Sequence, residues 1–534
     1  MTTTHQKLET ALAKHSAGDV AAATQLYRAI LAEEPEHPDA LHMLGVIAQQ
    51  MKNPELALKL MEAALSRKPD MAMAWHNRGL VLRALGRRDD ALQSVQQAFG
   101  ADPKLGDAWD MAGLLLREMG KFDESGTHHA HAVTLQPDNV RYRSNYAVLL
   151  LAKGDLVGAY KEVRESERLD KDSISFALGN VLRAAGYSER SIPHYQRVAR
   201  LLADSSEARL NEAMAWLQIG EMERAWELWK TLPDDKECFR PIPRWQGEKV
   251  GHLLLHEDQG IGDAIQCTRY IQLIRDRADK ITLQLNGFLK NLLKENFPDI
   301  DVLTLEDPVP IVDARAQLMN LPALLGTTVD TIPASVPYLH AEESWRMPWR
   351  ERLQSIPQPR VGLVWAGNPN HRNNQNRSLS LAQVKPLINA AQPHFVSLQK
   401  WEKKDDEGMM TVGIFDADPY LHDFSATAGL IMELDLVITV DTAVAHLAGA
   451  LGKPVWILIP FDPDWRWMLG REDSPWYPTA RLFRQTAPRN WAACITHMAS
   501  ELKKFIEGDR SVLKPTLWVE PPLRQNPFAI ELPD

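Results

Sequence analysis

Cysteine is nearly absent: Cys238, Cys267 and Cys494 are the only three among 534 residues. Far apart and odd in number, they supply neither a disulfide framework nor a zinc knuckle, and a reducing compartment is expected. Basic charge is not in excess either, with 60 Lys and Arg against 70 Asp and Glu and a net charge of -10. Without a long Lys/Arg block to neutralise phosphates, nucleic acid is not expected as a partner. Long apolar runs are missing too. The longest, Leu436 to Pro460, is interrupted by Asp441, His446 and Lys453-Pro454, so no membrane span is expected. The opening stretch MTTTHQKLETALAKHSAGDV lacks a basic segment followed by an apolar one, the pattern of a secretory signal. These absences leave a cytoplasmic chain of roughly three to four domain-sized units.

What the first half has in quantity is repetition. Pro35, Pro69, Pro103 and Pro137 recur every 34 residues, as do Gly45, Gly79 and Gly113, with Ala147 at the fourth site. Ala23, Ala57, Ala91 and Ala159 keep a second phase, Ser125 filling the gap, and Trp75 and Trp109 keep a third. This is the period of tetratricopeptide helix pairs. Past Asp170 the phase slips by about two residues, yet SFALGNVLRAAGYSERSIPHYQRVARLL and LNEAMAWLQIGEMERAWELWKTLP keep the design; about six units ending near Pro233 are expected. Stacked helix pairs bury a continuous core and leave an extended binding surface, so the array is expected to recruit a protein. Asn77, Asn145 and Asn211 occupy one phase on the first helix of their repeats, where an amide can both donate to and accept from an extended acceptor backbone. The other reading is a polar residue tolerated on a solvated face. His128, His129 and His131 in THHAHAV carry the letters of a metal site without a partner cluster, and packed or solvated histidines, with no metal, are expected.

The second half changes period. KVGHLLLHED, KITLQLN, IDVLTLED, RVGLVWAG, HFVSLQK, LDLVITV and KPVWILIP read as strands separated by amphipathic stretches, a βαβ organisation with parallel sheets. The Pro-rich TIPASVPYLHAEESWRMPWRERLQSIPQPR separates two groups of strands. The expected plan is an all-α tetratricopeptide solenoid (1–235) followed by two α/β Rossmann-like lobes, the first at 236–340 and the second at 359–508. A connection (341–358) and a tail (509–534) complete it. Ligands in such sheets lie beyond the carboxyl ends of the strands.

Two strand ends hold candidate chemistry. In LLLHEDQGIGDAIQCTRYIQLI, Gly260 and Gly262 allow a sharp turn, and Cys267, Ile271 and Ile274 give the next helix a buried stripe. Asp263 is left at the rim, either a helix cap worth about 0.5–2 kcal/mol or a working carboxylate. The glycines form neither a full G-x-G-x-x-G nor a Walker A loop. In LDLVITVDTAVAHLAGALGKPVWILIP, Asp441 and Thr442 end a strand and His446 lies a turn into the next helix, whose start suits a diphosphate while small Ala443 and Ala445 keep the approach open. Between them NPNHRNNQNRSLS offers Arg372 and Arg377 to phosphate oxygens, unless it is only a solvated loop. DAD at Asp416–Asp418 and DPD at Asp462–Asp464 have the letters of a metal-binding D-x-D, for which turn chemistry is the expected explanation. Trp465, Trp467, Trp476 and Tyr477 offer a stacking platform or a packed lobe contact.

GIGDAIQ and VDTAVAHLAGALGKPVW resemble the two signature junctions of the glycosyltransferase family that includes the bacterial ADP-heptose:lipopolysaccharide heptosyltransferases. PDWRWMLGREDSPWYPTARLFRQ resembles its tetratricopeptide-fused branch, and the likeness spans residues 245–508. It implies a GT-B fold and inverting transfer from a nucleotide-sugar without metal or cofactor. It also implies Asp263 as catalytic base, donor contacts from Asp441, Thr442 and His446, and Arg377 as the phosphate-contacting base. Gly262, Gln266, Gln399, Lys400 and Ala443 complete the donor-side set, Ala443 standing where the family usually has glycine. By analogy with repeat-fused sugar transferases, the acceptor is a protein held by the repeats, with bacterial flagellin as an example. A lipid-linked or surface glycan acceptor and a non-catalytic scaffold are the alternatives.

Overall fold

The computed structural model describes residues 3–170, 175–202, 205–233, 239, 241–257, 259–369, 371, 373–391, 394–400 and 414–515. Cys238, Arg372 and most of the 509–534 tail lie outside them. The chain divides into two compact units, Met1–Ala177 and Leu178–Asp534.

Five helix pairs make up the first unit, from Thr4–Ser16 to Leu156–Leu169. The 34-residue phases have separate physical causes. At Gly113 a Cβ would stand 2.7 Å from the His129 ring of the partner helix, and at Gly79 2.7 Å from Val95, so glycine sets how closely the two helices of a pair approach. Ala23, Ala57, Ala91 and Ala159 are fully buried in the facing helices. Ser125 fits the same position because its hydroxyl donates to the Gly113 carbonyl at 2.7 Å. Trp75 and Trp109 donate their indole N–H to the carbonyls of Pro69 and Pro103, at 2.8 and 2.9 Å, closing the turn before each pair. One period on, Arg143 Nε makes the same bond to Pro137, at 2.7 Å.

Two further pairs follow, Ser175–Ala184 with Ser188–Leu201 and Ser206–Gln218 with Met222–Trp229, making seven among the described residues where about six were expected. Beyond them stand two parallel sheets. β1 (Val250–His256), β2 (Ala278–Leu285), β3 (Asp301–Thr304) and β4 (Ala314–Gln317) are ordered β3-β2-β1-β4. β5 (Val361–Val364), β6 (Phe395–Ser397), β7 (Phe415–Asp416), β8 (Leu436–Val440), β9 (Val455–Ile459) and β10 (Ala480–Arg484) are ordered β10-β9-β8-β5-β6-β7. LVITV of β8 and VWILI of β9 are buried at every position, as strands covered on both faces must be. After β1 the α-helix runs only from Ile261 to Cys267 and tightens into a 3₁₀ helix, Thr268–Arg277; Cys267 of the first and Ile271 and Ile274 of the second are still buried. The connection carries a helix, Glu343–Arg352, whose buried Trp349 donates to the Ala426 carbonyl at 3.0 Å.

The seventh helix pair is seated on this α/β body. Trp226 Nε1 donates to the Thr327 carbonyl at 2.7 Å and Trp229 Nε1 to Asn320 Oδ1 at 2.9 Å. Gln218 Nε2 donates to the Pro463 carbonyl at 2.8 Å, and the Leu469 N–H returns a bond to the Gln218 carbonyl at 3.1 Å. The compact units divide at Ala177 and Leu178, while the helix pairs themselves run on to Trp229. Among the described residues no helix is long and apolar enough to cross a membrane.

Candidate functional site

The carboxyl ends of both sheets open onto one cavity of about 990 Å³. From the first sheet come Glu257 and Gly260 to Asp263 after β1, and Asn286 after β2. From the second come Ala366 to Pro369 after β5, Gln399 and Lys400 after β6, Asp441 to Val444 and His446 after β8, and Asp462 to Arg466 after β9. Arg183, Met214 and Gln218 of the last two helix pairs line it too.

Asp263 performs the cap and faces the cavity at once. It stands third in the helix Ile261–Cys267 and reaches back to accept the Gly260 N–H at 2.7 Å. Its other oxygen pairs with Arg466, and 20% of the side chain stays accessible. Arg466 is the residue the sequence did not disclose. It is buried, donates to Asp464 Oδ1 at 2.8 Å, and also holds Asp263 and the Gln266 side-chain oxygen. Burial opposes its charge, but Asp263 and Asp464 overcome that and keep the guanidinium firmly protonated. Gln266 is thereby a buried support of Arg466 behind the cavity wall, and Gly262 is a spacer: a Cβ there would meet the His446 ring at 2.7 Å.

On the second sheet, Thr442 begins the helix Ala443–Ala450 without a side-chain cap bond, leaving its first amides to other partners. Arg377 donates to the Asp441 carbonyl at 2.8 Å, in a space kept open by Gly367, and burial lowers its pKa. Burial, with Asp464 beside it, pushes the Asp441 carboxyl up to about 6. His446 is buried, stacked on Trp467 at 5.5 Å and bonded through Nδ1 to the Tyr477 hydroxyl at 2.8 Å. Burial, then the Arg466, Arg269 and Arg377 charges, hold its pKa well below the usual histidine range, so it is neutral.

Two of the donor-side residues are committed elsewhere. Gln399 accepts from the Trp365 and Ala366 amides and donates to the Ala366 and Lys400 carbonyls, tying the β5 and β6 loops together. Lys400 pairs with Asp418, while Asp416 accepts the Asp418 N–H at 3.1 Å in a local turn. In the DPD, Asp464 holds Arg466 and Asp462 lies 3.5 Å from Arg183. Trp465, Trp467, Trp476 and Tyr477 are all buried, with Trp465 edge-on to Trp226 and Trp476, so they form a packed cluster rather than an open platform.

In the repeats the asparagines have three different partners: Asn77 bonds His42 at 2.9 Å, Asn145 donates to Asp110 at 2.8 Å, and Asn211 donates to the Glu207 carbonyl of its own helix at 2.9 Å. His129 is buried against Asp110 at 3.0 Å, and His128 and His131 flank Trp109.

Fold and site together define a tetratricopeptide-repeat protein that carries an α/β region of parallel sheets. Tetratricopeptide repeat models match residues 14–77, 72–105 and 176–229. The chain is similar to Protein FlbA of Caulobacter vibrioides, 24% identical over 447 residues, which cover 70% of this chain and 75% of that protein. Among solved structures it is similar to Pseudomonas aeruginosa pilF (18% identity, 39% of this chain and 95% of that one, TM-score 0.35). A tetratricopeptide repeat protein from Parabacteroides merdae gives 18% identity, 45% and 96% coverage and a TM-score of 0.38.

Proposed function

We propose that the protein is an inverting, metal-independent glycosyltransferase of GT-B type that moves a sugar from a nucleotide-sugar to a protein recruited by its repeats, flagellin being one candidate. The observation carrying this reading is that Asp263, Arg377, Asp441, Thr442 and His446, from separate strand ends, line one cavity. The acceptor hydroxyl loses its proton to the Asp263 carboxylate, held by the Gly260 amide and Arg466 with lone pairs to spare. Charge gathering on the leaving diphosphate meets the helix start at Thr442, Arg377 and the neutral His446. Arg183, Met214 and Gln218 make the last repeats a wall of the acceptor side.

A second reading, a scaffold with inactive lobes, draws support from the commitment of Asp263 to Arg466 and of Lys400 to Asp418. A thermal-shift and calorimetric screen of nucleotide-sugars against the full-length chain separates the two. A transferase is stabilised by one donor and turns it over slowly by hydrolysis. A chain indifferent to every donor refutes the enzyme.

A further inference from the structure

His446 leads away from the cavity into a chain of groups, buried Tyr477 and Arg269 and half-buried Tyr338, that crosses between the sheets. Tyr477 contacts its Nδ1 at 2.8 Å, and Gly449 makes room for the tyrosine, since a Cβ there would lie 2.3 Å from the ring. Behind Tyr477 is Arg269, its guanidinium 4.7 Å from the Tyr477 ring centre and 4.6 Å from that of Tyr338. Arg269 donates to the Gln266 carbonyl at 3.0 Å, the Trp476 carbonyl at 2.8 Å and the Tyr338 hydroxyl oxygen at 3.2 Å. Tyr338 in turn donates its own proton to the Ile265 carbonyl at 3.1 Å.

These bonds fix where the Tyr338 proton points. Arg269 can only donate, so the Tyr338 oxygen accepts from it; the Ile265 carbonyl can only accept, so the Tyr338 proton is used there. The Tyr477 proton then has two acceptors in reach, His446 Nδ1 and the Tyr338 oxygen. Geometry selects the first: among the described residues the Tyr477 hydroxyl has hydrogen-bond distance and angle to His446 Nδ1 alone, at 2.8 Å. The Tyr477 proton therefore points at Nδ1, which must present its lone pair, and the ring proton is left on Nε2.

We infer that Tyr477, backed by Tyr338 and Arg269, is a positioning residue that holds His446 as the tautomer presenting Nε2–H to the cavity. The ring edge bearing Nε2 faces Gly262, where the two strand ends meet. His446 thus serves as a hydrogen-bond donor and not as a base, which suits an anionic diphosphate. That last step rests on the proposed function; the tautomer does not.

The test uses the full-length chain labelled with ¹⁵N-histidine, the His446 signals being assigned by their loss in His446→Gln. A pyridine-type Nδ1 and a pyrrole-type Nε2 are expected in the parent, and a mixture of tautomers in Tyr477→Phe, which keeps the ring against Gly449. Tyr338→Phe removes the competing acceptor together with the Arg269 and Ile265 bonds, leaves the Tyr477–His446 bond in place, and should keep the parental pattern. A pyrrole-type Nδ1 in the parent, an unchanged pattern in Tyr477→Phe, or a switch in Tyr338→Phe overturns the inference. Calorimetry with ADP, GDP, UDP and CDP then tests the ligand: Tyr477→Phe should bind the best of them more weakly by the inverse of its remaining Nε2–H fraction, about twofold for an equal mixture. Parental affinity in a variant whose tautomer has changed overturns the diphosphate role. If none of the four binds the parent, the proposed function falls, and the nitrogen spectra alone decide the tautomer.

Discussion

The five helix pairs of the first unit and the two that open the second follow one plan, yet direct their polar groups differently. In the first unit the bonds stay inside the array: Trp75 and Trp109 close their own turns, and Asn145 reaches Asp110 of the previous repeat. In the last pair Trp226, Trp229 and Gln218 donate to the α/β body instead. A sequence period therefore marks a building plan and not a unit of stability. What decides where a compact body ends is which groups the repeat surface must satisfy.

The largest expected effect breaks this comparison at its boundary. Removing residues 1–177 should leave a soluble chain with a cooperative melt and undiminished donor binding. Removing residues 1–235 should not, because it exposes the faces that Trp226 and Trp229 cover and takes Arg183, Met214 and Gln218 out of the cavity wall. Loss of one buried tryptophan side chain alone costs about 3–5 kcal/mol, a large part of a domain's stability. Circular dichroism melts of the two truncations check it; equal stability would return the last pairs to the solenoid.

The next effect concerns Asp263. Asp263→Asn keeps an oxygen for the Gly260 amide but turns its NH2 toward the buried Arg466, which is left with Asp464 at 2.8 Å, so the Tm should fall. Transfer should fall by about 10²–10⁴, the usual share of general base catalysis. Parental turnover with a lowered Tm would make the residue an anchor only, and the site's polar groups would then resemble those of the first unit.

Residues that declare themselves by local pattern were legible. β8 and β9 are largely apolar runs and β1 has three leucines at its centre, the 34-residue phase prescribes the helix pairs, and strand-to-helix junctions located Asp263 and Asp441. β4 and β10 were not, because ARAQ and ARLFR contain arginines that no local pattern would bury. Arg315 is held by the Phe239 carbonyl at 2.8 Å and Arg481 by Glu501 at 2.7 Å, partners far off in sequence. Arg466 was hidden in the same way, its carboxylate Asp263 lying 203 residues earlier. The boundary at 177 left only a faint mark, the two-residue slip past Asp170, since the sixth and seventh pairs keep the helix-pair design of those before them.

A smaller effect depends on pH. The Asp441 pKa is raised in the folded chain from 3.8 to about 6 by burial and Asp464, so the group favours the folded state most below pH 3.8 and loses that contribution as pH rises to about 6. Asp441→Asn does not titrate. Relative to the parent, its Tm should rise between pH 4 and pH 7 by on the order of a few °C. A difference that is flat with pH, or opposite in sign, would mean that Arg377 outweighs the burial.

The smallest effects separate the three asparagines and return to the contrast between the units. Asn145→Ala leaves the buried Asp110 one donor short, and a hydrogen bond to a charged group is worth about 1.5–3 kcal/mol. Asn77→Ala removes a bond to His42, neutral because burial lowers its pKa, worth about 0.5–1.5 kcal/mol. Asn211→Ala removes only a bond to its own helix and substitutes a better helix former, so the change should stay within about 0.5 kcal/mol. Urea melts of the three variants should rank them in that order. Acceptor binding discriminates further: amides that hold an acceptor backbone would weaken it in all three variants alike, whereas amides that serve the array would weaken it only as far as each repeat is loosened, leaving Asn211→Ala at the parental affinity.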